Sequence, residues 1–267
     1  MSLQNLVLEV CVDSVQSAIS AAQGGADRLE VCGNLGIGGG TTPSLGLVRA
    51  IQKALPYLPV MAMIRPRAGD FLYSQEELDV MLEDIELFKS AGVTGVVLGV
   101  LNPDGTVDVP RTRMWVFDVA PIIICPNKLR QAVCFHRAFD MTRSAVEAFD
   151  QICAIYGVTR ILTSGQSVST PAGLHVLQEL LQRSQKNGRP DILPGAGINP
   201  GTIRHVLDNL LPYGLKEVHL SGGKWVDGQM VHRPVGMGMG ASEETEWHVW
   251  MTDEDRIRKV RNVAHDR

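Results

Sequence analysis

The sequence Leu8-Glu9-Val10-Cys11 recurs as Leu29-Glu30-Val31-Cys32, and each copy sits in one of the first two apolar runs of the chain. If both runs are β-strands, alternation places Glu9, Cys11 and Asp13 on one face, with Glu30 and Cys32 on the same face of the neighbouring strand. Adjacent strands lie about 4.8 Å apart, so the two thiols can approach one another. Soft thiolates select Cu(I) or Zn(II), and Cu(I) accepts two ligands where a structural Zn(II) site asks for four. Cys11 and Cys32 are therefore candidate Cu(I) ligands. They equally suit a plain core, since free cysteine is among the most buried residue types.

Other reactive side chains close later apolar runs. Met61, Met63, Arg65 and Arg67 share a phase, which takes two guanidinium groups to the end of a third run. Their forks fit a carboxylate or phosphate, or neutralise Glu9 and Glu30 in a buried network. In Cys134-Phe135-His136-Arg137-Ala138-Phe139-Asp140, His136 is placed to move protons or ligate metal, with Asp140 to orient it. The alternative is a satisfied core histidine beside a structural Arg137–Asp140 pair.

Thr163-Ser164-Gly165, Pro194-Gly195-Ala196-Gly197 and His219-Leu220-Ser221-Gly222 end three further runs. The glycines of the last two of these lead toward expected helix starts, where backbone N–H groups bind phosphate, unless they only make tight turns. With Glu9 or Glu30 as base, His136 as acid and Arg65 and Arg67 as a clamp, the set also suits an isomerase, lyase or hydrolase. Its substrate would be a small anionic or phosphorylated metabolite, held with help from Arg137, Thr163, Ser164, Gly195, Gly197 and His219. No organic cofactor is indicated. The stretch Gly36 to Pro43 lacks the lysine of a phosphate-binding loop and is expected to be a turn before a helix started by Pro43. Met237 and Met239 are read as loop residues, and Cys125 and Cys153 as structural.

These side chains need a scaffold that brings strand ends together. Runs of strand length begin near Val7, Arg28, Val60, Gly95, Ala132, Arg160, Ile192 and Glu217. Between and after them, helices are predicted at 14–23, 43–55, 75–90, 110–119, 144–155, 171–186, 200–210 and 253–264. Ser74 with Glu77 makes a capping box, and Thr252 precedes the acidic pair Asp253 and Glu254 at the last helix. Such alternation requires parallel strands and right-handed crossovers, and eight units favour an α/β fold closed as a single (β/α)8 barrel of the TIM type. A length of 267 residues fits one such domain over 1–267, since barrels run to about 250. Functional residues then belong at the carboxyl ends of the strands. Residues 222–250, rich in Gly and Met and holding three of the four tryptophans, form either a flap over the mouth or an excursion from it.

A formal charge of −4, with acidic and basic residues interspersed, argues against nucleic acid or an anionic membrane as partner. No apolar run approaches the roughly 20 residues that cross a bilayer, and Met-Ser-Leu-Gln-Asn does not begin a secretory leader. Five cysteines without a C-x-x-C pair fit reduced thiols, so a cytoplasmic location is expected.

Taken together, the motifs resemble the CutC copper homeostasis protein family over most of the chain, apart from the segment between Gly222 and Trp250. The resemblance rests on Leu8 to Asp13, Gly24 to Cys32, Gly39 to Ser44, Met63 to Arg67, Gly69 to Tyr73, Phe135 to Asp140, Arg160 to Gly165 and Pro194 to Ile198. It implies a cytoplasmic β/α barrel, often a homo-oligomer, that handles copper, with Cys11 and Cys32 at the positions proposed to bind Cu(I). Val31 stands where the family often has Leu, and Trp225 to Met239 replace its usual continuation after the eighth strand.

Overall fold

A computed structural model describes residues 6–119 and 132–265. Cys125 lies outside the described residues.

Strand and helix alternate as expected. The order is β1 (Val7–Val12), α1 (Val15–Gln23), β2 (Arg28–Val31), a one-turn α2 (Leu35–Gly38), α3 (Leu45–Ala54), β3 (Val60–Met63), α4 (Gln75–Ser90), β4 (Gly95–Leu98) and α5 (Val109–Val119). It continues with β5 (Ala132–Phe135), α6 (Ala145–Cys153), β6 (Val158–Thr163), α7 (Leu174–Asn187), β7 (Asp191–Pro194), α8 (Ile203–Leu210) and β8 (Glu217–Leu220). An antiparallel ribbon, β9 (Gly223–Asp227) with β10 (His248–Thr252), precedes α9 (Glu254–His265).

The eight parallel strands run β7-β6-β5-β4-β3-β2-β1-β8, and the two ends of that order, β7 and β8, lie against each other. The sheet is thereby a nearly closed barrel with helices outside it. Strand alternation divides the apolar residues into two sets. Leu8, Val10, Leu29, Val31, Val133 and Phe135 pack outward under the helices. Cys11, Cys32, Met61, Met63, Val97, Cys134, Leu162 and Leu193 pack together along the axis. The barrel interior is a filled core rather than a pore.

Helix starts follow local hydrogen-bonding rules with one departure from expectation, at Pro43. Ser74 and Glu77 form the capping box. Pro43 precedes the helix instead of starting it, because Ser44 is the N-cap and accepts the Leu47 N–H. The last helix is capped by Asp253, which accepts from Arg256 N–H, while Thr252 ends the ribbon. That ribbon was not foreseen. Trp225 and Trp250 face each other across it with ring centroids 5.3 Å apart, Trp225 leans on Gly36, and Thr252 N–H donates to Ser17 on α1. The chain beyond β8 therefore enters a strand, not a helix start, which removes one of the two places expected to offer a helix N-terminus. No helix among the described residues is long and apolar enough to cross a membrane.

The close approach of β4 to β5 is a sequence requirement at Gly95, where an added Cβ would lie 2.1 Å from the Ala132 carbonyl oxygen and 2.8 Å from Met61. Gly95→Ala is expected to cost about 3 kcal/mol, the upper end for forcing a methyl into a packed core. Urea unfolding followed by circular dichroism measures it; an unchanged midpoint would contradict this packing.

Candidate functional site

The lowest polar layer inside the barrel is a chain of charges. Strand register sets Glu9 beside Arg28 on β2 and His219 on β8, so all three turn to the axis. Arg28 Nε donates to Glu9, Arg28 Nη2 donates to Glu217 at 2.5 Å, and Arg160 Nε reaches Glu217 at 3.0 Å. Burial alone would raise the Glu9 carboxyl, but the Arg28 charge and the His219 bond outweigh it and hold its pKa at about 2. The expectation that Arg65 and Arg67 neutralise Glu9 and Glu30 is thus corrected: Arg28 pairs with Glu9 from below, and Arg160 meets Glu217. Counting back two residues from Glu30 would have found Arg28 on the inward face.

Above this layer, His219 Nδ1 lies 2.8 Å from Glu9 and its Nε2 3.8 Å from Glu30. Cys11 Sγ, a ring nitrogen of His219 and a carboxylate oxygen of Glu30 all fall within 4.8 Å of one another, the arrangement of a metal-holding group. Burial disfavours the imidazolium, but Cys11 and Glu30 more than compensate, so the pKa of His219 is raised well above its ordinary value. Burial also raises Cys11 and Glu30, against the lowering influence of His219 on each.

Cys32 is outside that triad. Cys11 pairs in register with Glu30, which leaves Cys32 diagonal to it and one step nearer the strand end. Its thiol donates to Glu30 at 3.5 Å, and Gly40 passes directly over its sulfur. Burial, with Glu30 next, raises its pKa strongly. Cys11 and His219 keep 6% and 7% of their surface, whereas Cys32 keeps none, so the first two are the more accessible.

The ends of β3 and β5 bring His136 and Arg65 to the mouth, Arg65 on the strand next to β2. His136 follows Cys134 on the inward face, and Gly99 on the adjacent strand end makes its room, since a Cβ there would sit 2.6 Å from the ring. Its Nδ1 accepts the Ala138 N–H at 3.2 Å. Burial, then the nearby Arg65 charge, holds the pKa of His136 at about 3, so the ring is neutral. Arg65 donates to the carbonyls of Gly40 and Gly69, tying two loops to the rim.

Asp140 does not orient His136. It accepts from Thr163 Oγ1, Ser164 N–H, Ser164 Oγ and Gln166 N–H and pairs with Arg137, which also donates to Ser164. Arg137, Asp140, Thr163 and Ser164 thus form one clamp that shapes the loop after β6. Arg67 turns away to Glu77 at 2.5 Å and Asp70, at the surface. After β7, Gly195 N–H goes to the Thr163 carbonyl, and Gly197 takes a left-handed conformation whose carbonyl accepts from Asn199 and Thr202. This is a tight turn held by its own groups. Gly195 also leaves room for His219, to which a Cβ would come within 3.3 Å. Cys153 is a half-buried thiol near Asn187, remote from the mouth.

Comparison with known proteins adds the following. The CutC family model matches residues 6–224. A CutC family protein of Chromobacterium violaceum is 42% identical over 257 residues, 96% of this chain and 97% of that protein. The human copper homeostasis protein cutC homolog is 38% identical over 259 residues, covering 97% and 89% of the two chains. A solved structure described as the copper homeostasis protein CutC of Streptococcus agalactiae superposes with a TM-score of 0.69 at 26% identity, covering 81% of this chain and 98% of the other.

Glu9 should dominate the acid response of the fold. Its carboxyl is lowered from 4.5 to about 2, so its contribution is complete above pH 4.5 and is lost as the pH falls toward 2. Glu9→Gln is expected to cost about 3–5 kcal/mol at pH 7, because it leaves Arg28 and His219 buried with one fewer charge partner. It should also flatten the acid limb of stability. Urea unfolding of both proteins at pH 7, 4 and 3 reads both effects, and parallel pH curves would exclude Glu9 as the group responsible.

Proposed function

This chain belongs to the CutC family, and on that premise we propose that it serves copper homeostasis by binding Cu(I) at Cys11 and His219, with Cys32 as second sulfur ligand. The observation that carries this reading is the convergence of Cys11 Sγ, His219 and Glu30 within 4.8 Å inside the barrel. A thiolate and an imidazole are suited to Cu(I), which is content with two or three ligands. Glu30 offers a hard oxygen whose burial favours the protonated form, so it is the least suited of the three.

His219 has the support a metal-binding imidazole requires. Its Nδ1–H faces Glu9, an arrangement that fixes the ring and leaves Nε2 for the ion. Copper here is cargo: the thiols must lose their protons to take it, and the buried carboxylates beside them receive or pass on those protons. The Cys32 thiol, hydrogen-bonded to Glu30, is positioned to release its proton along that bond. The reading sets the protein in the cytoplasm, where thiols stay reduced, as a homo-oligomer like those of the family it resembles.

Competition of the reduced protein with a Cu(I) chelator measures the affinity directly. Cys11→Ser and His219→Gln are each expected to weaken binding by about 100-fold, in the range of losing an essential ligand or its support, and Cys32→Ser by about tenfold or more. Unchanged affinity in Cys11→Ser and Cys32→Ser would remove the copper assignment. Because the pKa values of Cys11, Cys32 and His219 are all raised, uptake displaces protons. The apparent affinity should therefore climb with pH between 6 and 8, by about tenfold per unit for each proton released. A flat profile would mean that these groups are not the ligands.

A further inference from the structure

Cys32 is sealed by a short excursion of the chain with hinges at both ends. Gly33 and Thr41 exchange two backbone hydrogen bonds of 2.8 Å, which close the base of a loop over residues 34–40. Thr42 N–H donates to the Arg65 carbonyl and Arg65 N–H to the Thr42 hydroxyl, so that base is fixed to the end of β3. Within the loop, α2 lies between residues of positive φ: Asn34 at 55° before it, Gly39 at 69° and Gly40 at 91° after it. Glycine and asparagine are the types that adopt this conformation, and a few such residues at the ends of an element absorb the dihedral change of a moving loop. We propose that residues 34–40 are a hinged lid over Cys32, and that Trp225 of the β9–β10 ribbon is the latch that keeps it shut.

In the closed position the Gly40 backbone stands over the sulfur, since a Cβ there would lie 3.2 Å from Cys32 Sγ. Leu35 packs onto the thiol layer, and Cys32 keeps none of its surface. Three contacts hold the lid down. Leu35 N–H donates to Asp13 at 3.1 Å, the Gly40 carbonyl accepts from Arg65 at 3.0 Å, and α2 lies against the Trp225 indole, where a Cβ at Gly36 would come within 2.6 Å of the ring. The two polar contacts come from the barrel rim, and the apolar one comes from outside it. The ribbon that brings Trp225 is itself fixed to the body, because Thr252 N–H donates to Ser17 on α1 and Lys224 pairs with Asp253. Trp225 lies one residue beyond the match to the family model, so the latch is supplied by the segment in which this chain departs from that model. Nothing reaches the Cys32 sulfur through the mouth until the lid lifts. On the copper reading, on which this consequence rests, Cys11 and His219 take the ion first and Cys32 joins when the lid opens.

Labelling of the reduced, metal-free protein with iodoacetamide, quantified at each cysteine by peptide mass spectrometry, reads the lid directly. Modification of a covered thiol tracks the population of its open state. Trp225→Ala withdraws the latch, and Gly36→Ala wedges a methyl group beneath the indole. Each is expected to raise the rate at Cys32 roughly tenfold or more. Cys134, buried on the same axis on β5, should keep its rate and so reports on the barrel as a whole. Met239→Ala, on the exposed arm, should leave both rates as they are. An unchanged Cys32 rate in either latch variant, or a rise at Cys134 matching that at Cys32 in both, would overturn the lid. No metal enters this measurement, so its failure leaves the copper reading standing, and a failure of copper binding leaves the lid standing.

Discussion

Everything inside this barrel depends on the ion pair between Glu9 and Arg28. A carboxylate on the axis of a closed sheet has no water to solvate it, and an unpaired charge there would prevent folding or stay protonated. Arg28 fills the adjacent place in the parallel register and uses its fork twice, on Glu9 and on Glu217, while Arg160 meets Glu217 from the far wall. Strands β1, β2, β6 and β8 are thereby joined through side chains as well as backbone. The pair also keeps Glu9 ionised, and an ionised Glu9 holds His219 by its Nδ1.

From that fixed point the mouth divides into two halves of different chemistry. Toward β1, β2 and β8, soft and acidic groups gather around His219, whose proton is retained by its neighbours. Toward β3 and β5, a cation and a neutral imidazole share the Phe71 ring. The two histidines end up at opposite extremes: burial lowers both, the Arg65 charge adds to it at His136, and Cys11 and Glu30 overturn it at His219. Each ring fits because a glycine on a neighbouring strand end, Gly195 for one and Gly99 for the other, gives up its side-chain volume.

Outside the barrel, the ribbon β9–β10 attaches where the match to the family model ends, at residue 224. Trp225 closes on Gly36, next to the loop that brings Gly40 over the Cys32 sulfur. Met230, Val231, Val235, Met237 and Met239 on the connecting arm are all exposed. The tryptophans therefore anchor the base of the ribbon on α1 and α2, and the arm itself projects from the body.

The eight strands, their order and the inward phase of Glu9, Cys11, Glu30 and Cys32 were legible in the sequence, because hydrophobic alternation and helix capping are local signals. So was the concentration of polar groups at the strand ends, since a β/α barrel directs them there whatever their identity. Three things needed the folded chain. The first was that Arg28 and Arg160, rather than Arg65 and Arg67, balance Glu9 and Glu217. The second was that Asp140 serves the Thr163–Ser164 loop instead of His136, and the third that His219 joins Cys11 while Cys32 stays diagonal to it. Each is a question of register between strands distant in sequence and of competition among several possible partners. Alternation states which face a residue occupies, but only closure of the barrel sets how far along the axis it lies and which charge it meets first.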